Sequence, residues 1–334
     1  MKISRFVCAL IALATVSVAA VSGSLAAERI MTSAEASLTA GLSEIETVPN
    51  ETVPEVISAD VTKNFDFKNF TGIDVSGIVQ VELKKSNNWK VSVTLPAEYE
   101  PYLSVRVSGG ELSIGLKNLP DRITRRIKGA EVVATIAMPA LYSLEMSGAT
   151  KLYCEDFFDT GNRPFKMELS GAARVTRIDL SGSELDMELG GAANIRLTGT
   201  FDKAYIDAGG ASRCDLDMDA RIISEELSGA AKAYHTGDYG EIKVDASGAS
   251  VFSVKGSAES LKLLGSGAVK LEAFDCVTDN AKVSMSGAGY CELNALYDVA
   301  VDLTGGSNLR YKDNPDVKVD VISISRAASI KKVK

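Results

Sequence analysis

One tripeptide, a small residue, a glycine and another small residue, returns along this chain at almost constant spacing, and that period restricts the fold more than any other feature. The copies are Ser147-Gly148-Ala149, Ser170-Gly171-Ala172, Gly190-Gly191-Ala192, Gly209-Gly210-Ala211, Ser228-Gly229-Ala230, Ser247-Gly248-Ala249, Ser266-Gly267-Ala268 and Ser286-Gly287-Ala288, with a looser copy at Thr304-Gly305-Gly306. Successive central glycines are 23, 20, 19, 19, 19, 19, 20 and 18 residues apart. A unit of about nineteen residues holds two short strands and two turns. One of those turns needs glycine, for a positive φ or for close approach of two backbones.

Aligning the copies on that glycine turns the sequence into columns. Two places before it stand Met146, Leu169, Leu189, Ala208, Leu227, Ala246, Gly265, Met285 and Leu303. Four before it stand Leu144, Met167, Met187, Ile206, Glu225, Val244, Leu263, Val283 and Val301. Small residues occupy the second place after it, and Leu152, Val175, Ile195, Cys214, Ala233, Phe252, Leu271, Cys291 and Leu309 the fourth. This alternation of period two marks strands with one face inward on both sides of the turn. A single unit cannot bury its apolar face, whereas stacked units enclose a continuous core. The expected fold is therefore all-β: a single-stranded parallel β-helix with rungs of about nineteen residues, right-handed by the rule for parallel crossovers. Glu225 interrupts the inward pattern, and a local bulge or a shifted register is the expected reason.

The outward columns segregate by charge. Three places before the glycine stand Glu145, Glu168, Glu188, Asp207, Glu226 and Asp245; three places after it stand Lys151, Arg174, Arg213, Lys232 and Lys270. These acidic and basic ridges have two readings. In one, they flank the same turn, partly satisfy each other and keep the surface soluble. In the other, they form a linear binding surface for a cation, a glycan or a protein. The glycines Gly148, Gly171, Gly191, Gly210, Gly229, Gly248, Gly267, Gly287 and Gly305 are expected to be structural.

The start of the chain reads as a targeting segment. Lys2 and Arg5 precede an apolar run from Phe6 to Val21, and Ser24-Leu25-Ala26 suits cleavage before Ala27. Residues 1–26 are thus expected to be a signal peptide, 27–62 a Thr/Ser/Pro-bearing tether, 63–326 the β-helix and 327–334 a basic tail. The expected location is exported: periplasm, outer envelope or extracellular, with no membrane span once the signal is removed. The formal charge of −8 argues against nucleic acid as a partner.

Chemistry is sparse in the sequence, and no catalytic residue, cofactor site or metal site is expected from it. The mature chain keeps Cys154, Cys214, Cys276 and Cys291. Cys214 and Cys291 share a column but sit four rungs apart, about 19 Å, beyond disulfide reach. Cys276 is placed in a turn, and small buried thiols are expected throughout. His235, the single histidine, falls in a column with Leu197, Leu216 and Val254 and reads as a core or turn residue. The acidic column is single-file, whereas calcium wants several oxygens converging on one point. A polysaccharide-cleaving β-helix is the enzymatic alternative, but the rung length hardly varies. Only Asp156–Arg163 and Leu119–Lys128 offer loop material for a cleft, and neither carries an acid/base pair.

The segment Phe65-Asp66-Phe67-Lys68-Asn69-Phe70-Thr71-Gly72-Ile73-Asp74-Val75-Ser76-Gly77, then Val79-Gln80-Val81-Glu82-Leu83 and Gly109-Gly110-Glu111-Leu112-Ser113-Ile114, followed by the Ser-Gly-Ala rungs, resembles the putative auto-transporter adhesin, head GIN-domain family. The resemblance runs from about Asn64 to Arg326. It implies an exported, mostly β-helical envelope domain of Bacteroidetes-like bacteria, with no catalytic residues to carry over. Ending at Ile330-Lys331-Lys332-Val333-Lys334 without a membrane barrel, the chain reads as a passenger-like domain. The expected function is a non-enzymatic, adhesin-like surface that binds a glycan, a protein or another copy of itself. A carbohydrate-active enzyme and a structural spacer are the alternatives. The N-terminal β segment is expected to cap one end of the coil.

Overall fold

The computed structural model describes residues 59–120 and 131–334. The expected signal segment, all but the end of the tether and most of Leu119–Lys128 lie outside them. Seven strands precede the regular coil: β1 (Asp60–Phe65), β2 (Gly72–Val75), β3 (Val79–Lys85), β4 (Lys90–Pro96), β5 (Leu103–Ser108), β6 (Glu111–Leu116) and β7 (Val132–Met138). The coil runs through β8 (Ser143–Met146), β9 (Lys151–Asp159), β10 (Phe165–Leu169), β11 (Arg174–Leu189), β12 (Asn194–Ala208), β13 (Arg213–Leu227) and β14 (Lys232–Ala246). It continues through β15 (Val251–Gly267), β16 (Lys270–Gly287), β17 (Tyr290–Ala295), β18 (Asp298–Leu303), β19 (Asn308–Lys312), β20 (Lys318–Ile324) and β21 (Ser329–Val333). Together they form a β-solenoid of about ten turns, as the period demands. From β8 onward every rung pairs in parallel with the next.

The turn glycines explain the stack. All nine expected positions have φ between 67° and 91°, and Gly77 joins them at 89°. The residue after each glycine donates its N–H to the glycine carbonyl of the preceding rung, as in Ala230 to Gly210 at 2.7 Å and Ala249 to Gly229 at 2.8 Å. A Cβ built on Gly229 would lie 2.9 Å from the Gly210 oxygen. Conformation and close approach thus both exclude a side chain.

The four inward columns are buried throughout, and they form one apolar core from Phe70 to Leu309. Glu225 belongs to that core. Its strand keeps unbroken register with both neighbours, Ile206 on one side and Val244 on the other. Neither a bulge nor a register shift turns it outward, so the expected explanation is corrected: a carboxyl group sits in the lumen, 1% exposed. Cys276 is also corrected, being a buried residue of β16 paired with Gly256 rather than part of a turn.

The N-terminal strands depart from sequence order. β2 lies between β6 and β8, and β3 between β7 and β9, all parallel. The earliest rung is therefore sandwiched inside the stack, with the later β6–β7 rung outside it. Antiparallel β5 covers the free edge of β6, and β4 covers that of β7 with β1 beyond it. This is how the expected cap is built. β1 starts at Asp60, so the last residues assigned to the tether are strand. The assigned basic tail is likewise strand: β21 pairs with β19, and Ile330 packs against the core. Replacing Gly229 by Val should cost ~1–3 kcal/mol of folding stability, read as a shift in the urea midpoint at unchanged m-value. A neutral result would falsify the turn assignment.

Candidate functional site

The register converts the acidic column into a ladder. Glu145 pairs with Glu168, Glu168 with Glu188, Glu188 with Asp207, Asp207 with Glu226 and Glu226 with Asp245. Asp74 extends the row, since the inserted β2 sets it beside Glu145. The alignment on Ser-Gly-Ala missed it, although Asp74 stands three places before Gly77 as the others do before their glycines. Seven carboxylates thus follow one another at about 4.8 Å, a row of about 29 Å. Glu145, Glu168, Glu188 and Asp207 line a shallow, open groove together with Leu169, Ser170, Leu189, Gly190 and Gly209.

The ridge is poorly compensated. Of the seven, Glu168 alone has an ion-pair partner among the described residues, Lys166 at 2.6 Å. The Glu145 carboxyl is held above the usual carboxylate range, first by partial burial and then by the negative charges of Asp74, Glu168 and Glu111.

The basic column also stacks, but Asn194 interrupts it between Arg174 and Arg213, and Val251 between Lys232 and Lys270. Two of its members turn to acids two places along their own strands. Arg213 bonds Asp215 at 2.8 Å and lies over the Tyr234 ring, and Lys270 meets Glu272 at 2.5 Å. No ion pair among the described residues joins one ridge to the other. The expected mutual satisfaction across the turn is not seen among the described residues: Arg213 and Lys270 pair with acids on their own strands instead, and Lys151, Arg174 and Lys232 form no ion pair with the acidic ridge.

A second polar group lies inside the coil. Cys214 and Glu225 on β13 and His235 on β14 offer ligand-type atoms that all lie within 4.8 Å of one another, and all three residues are buried. His235 Nε2 is 3.3 Å from Glu225 Oε2, without the alignment of a hydrogen bond. Both Glu225 oxygens and both His235 nitrogens lack a hydrogen-bond partner among the described residues. The ring packs edge-on against Phe252, with centroids 5.2 Å apart. Burial pushes the Glu225 carboxyl up to about 8 and the His235 imidazole down to about 3, and it drives the Cys214 thiol well above its ordinary range. His235 is a core residue, as its column implies, but not a satisfied one. Cys154, Cys276 and Cys291 are free, buried thiols.

The family model described as putative auto-transporter adhesin, head GIN domain matches residues 69–236 and 215–315. The chain belongs to this head GIN-domain family. The match covers the inserted first rung, the acidic ladder and the buried Cys214, Glu225 and His235, so both features sit within the head GIN domain itself. No curated protein matches the chain. Among solved structures, it is similar to a putative adhesin from Parabacteroides distasonis at 16% identity, covering 83% of this chain and 98% of that one, with a TM-score of 0.49. It is also similar to a putative lipid binding protein from the same organism (16% identity, 82% and 97% covered, TM-score 0.44). A third similar structure is a putative adhesin from Parabacteroides merdae (16%, 82% and 96%, 0.41).

Unpartnered polar groups in an apolar lumen are a stability cost. Replacing Glu225 by Ile and His235 by Leu together, residue types their columns already hold, should raise the stability of the chelator-treated protein by about 1–4 kcal/mol. Thermal unfolding of the double variant beside each single one checks this.

Proposed function

We propose that this head GIN-domain protein is an adhesin-like, non-enzymatic surface module whose acidic ladder docks a partner carrying repeated positive charge, foremost an extended cationic segment of a protein. The observation that supports the reading is the ladder itself: seven carboxylates in register, six of them without an ion-pair partner among the described residues. Holding like charges at the rung spacing costs stability that a soluble spacer has no reason to bear. A partner with complementary charge recovers that cost, gaining on-rate and register more than raw affinity.

Two carboxylates about 5 Å apart are also the spacing of a retaining glycosidase, so spacing alone does not separate binder from enzyme. Such an enzyme sets two carboxyls apart in environment, one kept protonated and one ionised, within walls that hold a sugar ring. Here the acids repeat along a shallow, open groove, and this favours docking over cleavage.

The test is biolayer interferometry of the full chain against a cationic peptide series and a panel of neutral, acidic and amine-bearing glycans. Binding to cationic peptides should weaken steeply with salt and fall about tenfold or more in a Glu168→Gln, Glu188→Gln, Asp207→Asn triple variant. Equal binding by the triple variant would sink the ladder as the docking surface. Glycan chains recovered shortened would replace docking by cleavage.

A further inference from the structure

We infer that Cys214, Glu225 and His235 form a buried structural site for one divalent transition-metal ion of the zinc class, held within the core of the coil, the two unpartnered Glu225 oxygens, the Cys214 sulfur and one His235 nitrogen supplying four donors. Two of the three are exceptions in their columns, Glu225 as the one acid four places before the glycine and His235 as the chain's single histidine, and Cys214 is one of the two thiols of its otherwise apolar column, Cys291 being the other. The fold brings the three residues to one point, although Cys214 and His235 are 21 residues apart in sequence; Cys291 has no such neighbours among the described residues.

The donor set suits such an ion. One sulfur, one imidazole nitrogen and one carboxylate make a mixed ligand set that zinc accepts, whereas calcium and magnesium take oxygen alone. Zinc bonds of ~2.0–2.3 Å at tetrahedral angles set neighbouring donor atoms roughly 3.3–3.6 Å apart. His235 Nε2 and Glu225 Oε2 already stand at 3.3 Å, without hydrogen-bond alignment. One donor atom of each residue lies within 4.8 Å of the others, so small side-chain rotations close the set.

Charge supplies a further argument. Binding releases the thiol proton of Cys214 and the carboxyl proton of Glu225, and the resulting thiolate and carboxylate balance the two charges of the ion beside a neutral imidazole, so the buried cluster stays electrically neutral on loading. It also gives the unpartnered Glu225 oxygens and a His235 nitrogen the bonds that the described residues do not offer. Glu225 and His235 are each 1% exposed and Cys214 is fully buried. The ion therefore enters as the rungs close, and its role is to fix β13 against β14.

The test unfolds the reduced full chain in denaturant and refolds it with cobalt(II) as a spectroscopic probe, followed by exhaustive dialysis. One ion per chain should be retained, with a thiolate-to-cobalt charge-transfer band. Cys214→Ala should abolish the band, and since Ala233 fills the same column one rung on, this variant is expected to fold. Cys154→Ala, Cys276→Ala and Cys291→Ala should keep it. Glu225→Gln and His235→Gln should each weaken retention at least tenfold against a competing chelator. A refolded wild-type chain with native circular dichroism but no bound cobalt overturns the proposal, and so does a band that survives Cys214→Ala.

Discussion

The backbone hydrogen bond from the residue after each turn glycine to the glycine carbonyl one rung below is the interaction on which the rest of the structure depends. It repeats from Gly77 to Gly305 with donor–acceptor distances of 2.6–2.8 Å. Only a glycine permits both the positive φ and the close approach, so the position of the glycine in sequence dictates the register of the strands on either side. Once register is fixed, like stacks on like. Apolar columns gain a continuous core from this rule, and the acidic column becomes a ladder by the same rule at an electrostatic cost.

What the sequence made legible follows from that rule. With a period near nineteen, the columns identified the inward residues, the ridge and the unusual position of Glu225 without any structure. Whether the acids met the bases across the turn was not legible, because it depends on which partner a long side chain reaches first. Arg213 and Lys270 reach Asp215 and Glu272 on their own strands. Nor was the meeting of Cys214, Glu225 and His235 legible. A column reports which face a residue takes, but it does not report which columns oppose each other across the lumen, and that is set by how the strands bend at the corners between glycines.

The ends of the coil were least readable. Glycine alignment finds repeats, and the antiparallel strands β1, β4 and β5 contain none, so their role as edge covers came from pairing alone. At the other end, Lys331 and Lys332 suggested a tail, but β21 pairs with β19 from Ser329 to Val333, and Ile330 packs against the core to extend the last rung. Val321, Ile322 and Ile324 on β20 remain exposed.

The insertion of β2–β3 between two later rungs sets an order of events on the growing chain. That first rung gains its outer neighbour when β6 and β7 are complete at Met138, and its inner neighbour only when residues up to about Asp159 have been made. Until then one edge of the first rung lacks its native strand partners. Assembly begins when a non-sequential trio of coils clasps together, a loop-closure step that spends chain entropy before contacts repay it. Thereafter each new coil finds a finished template and adds as a local event. The solenoid thus has one slow, non-local seed and a long tail of fast, one-dimensional growth.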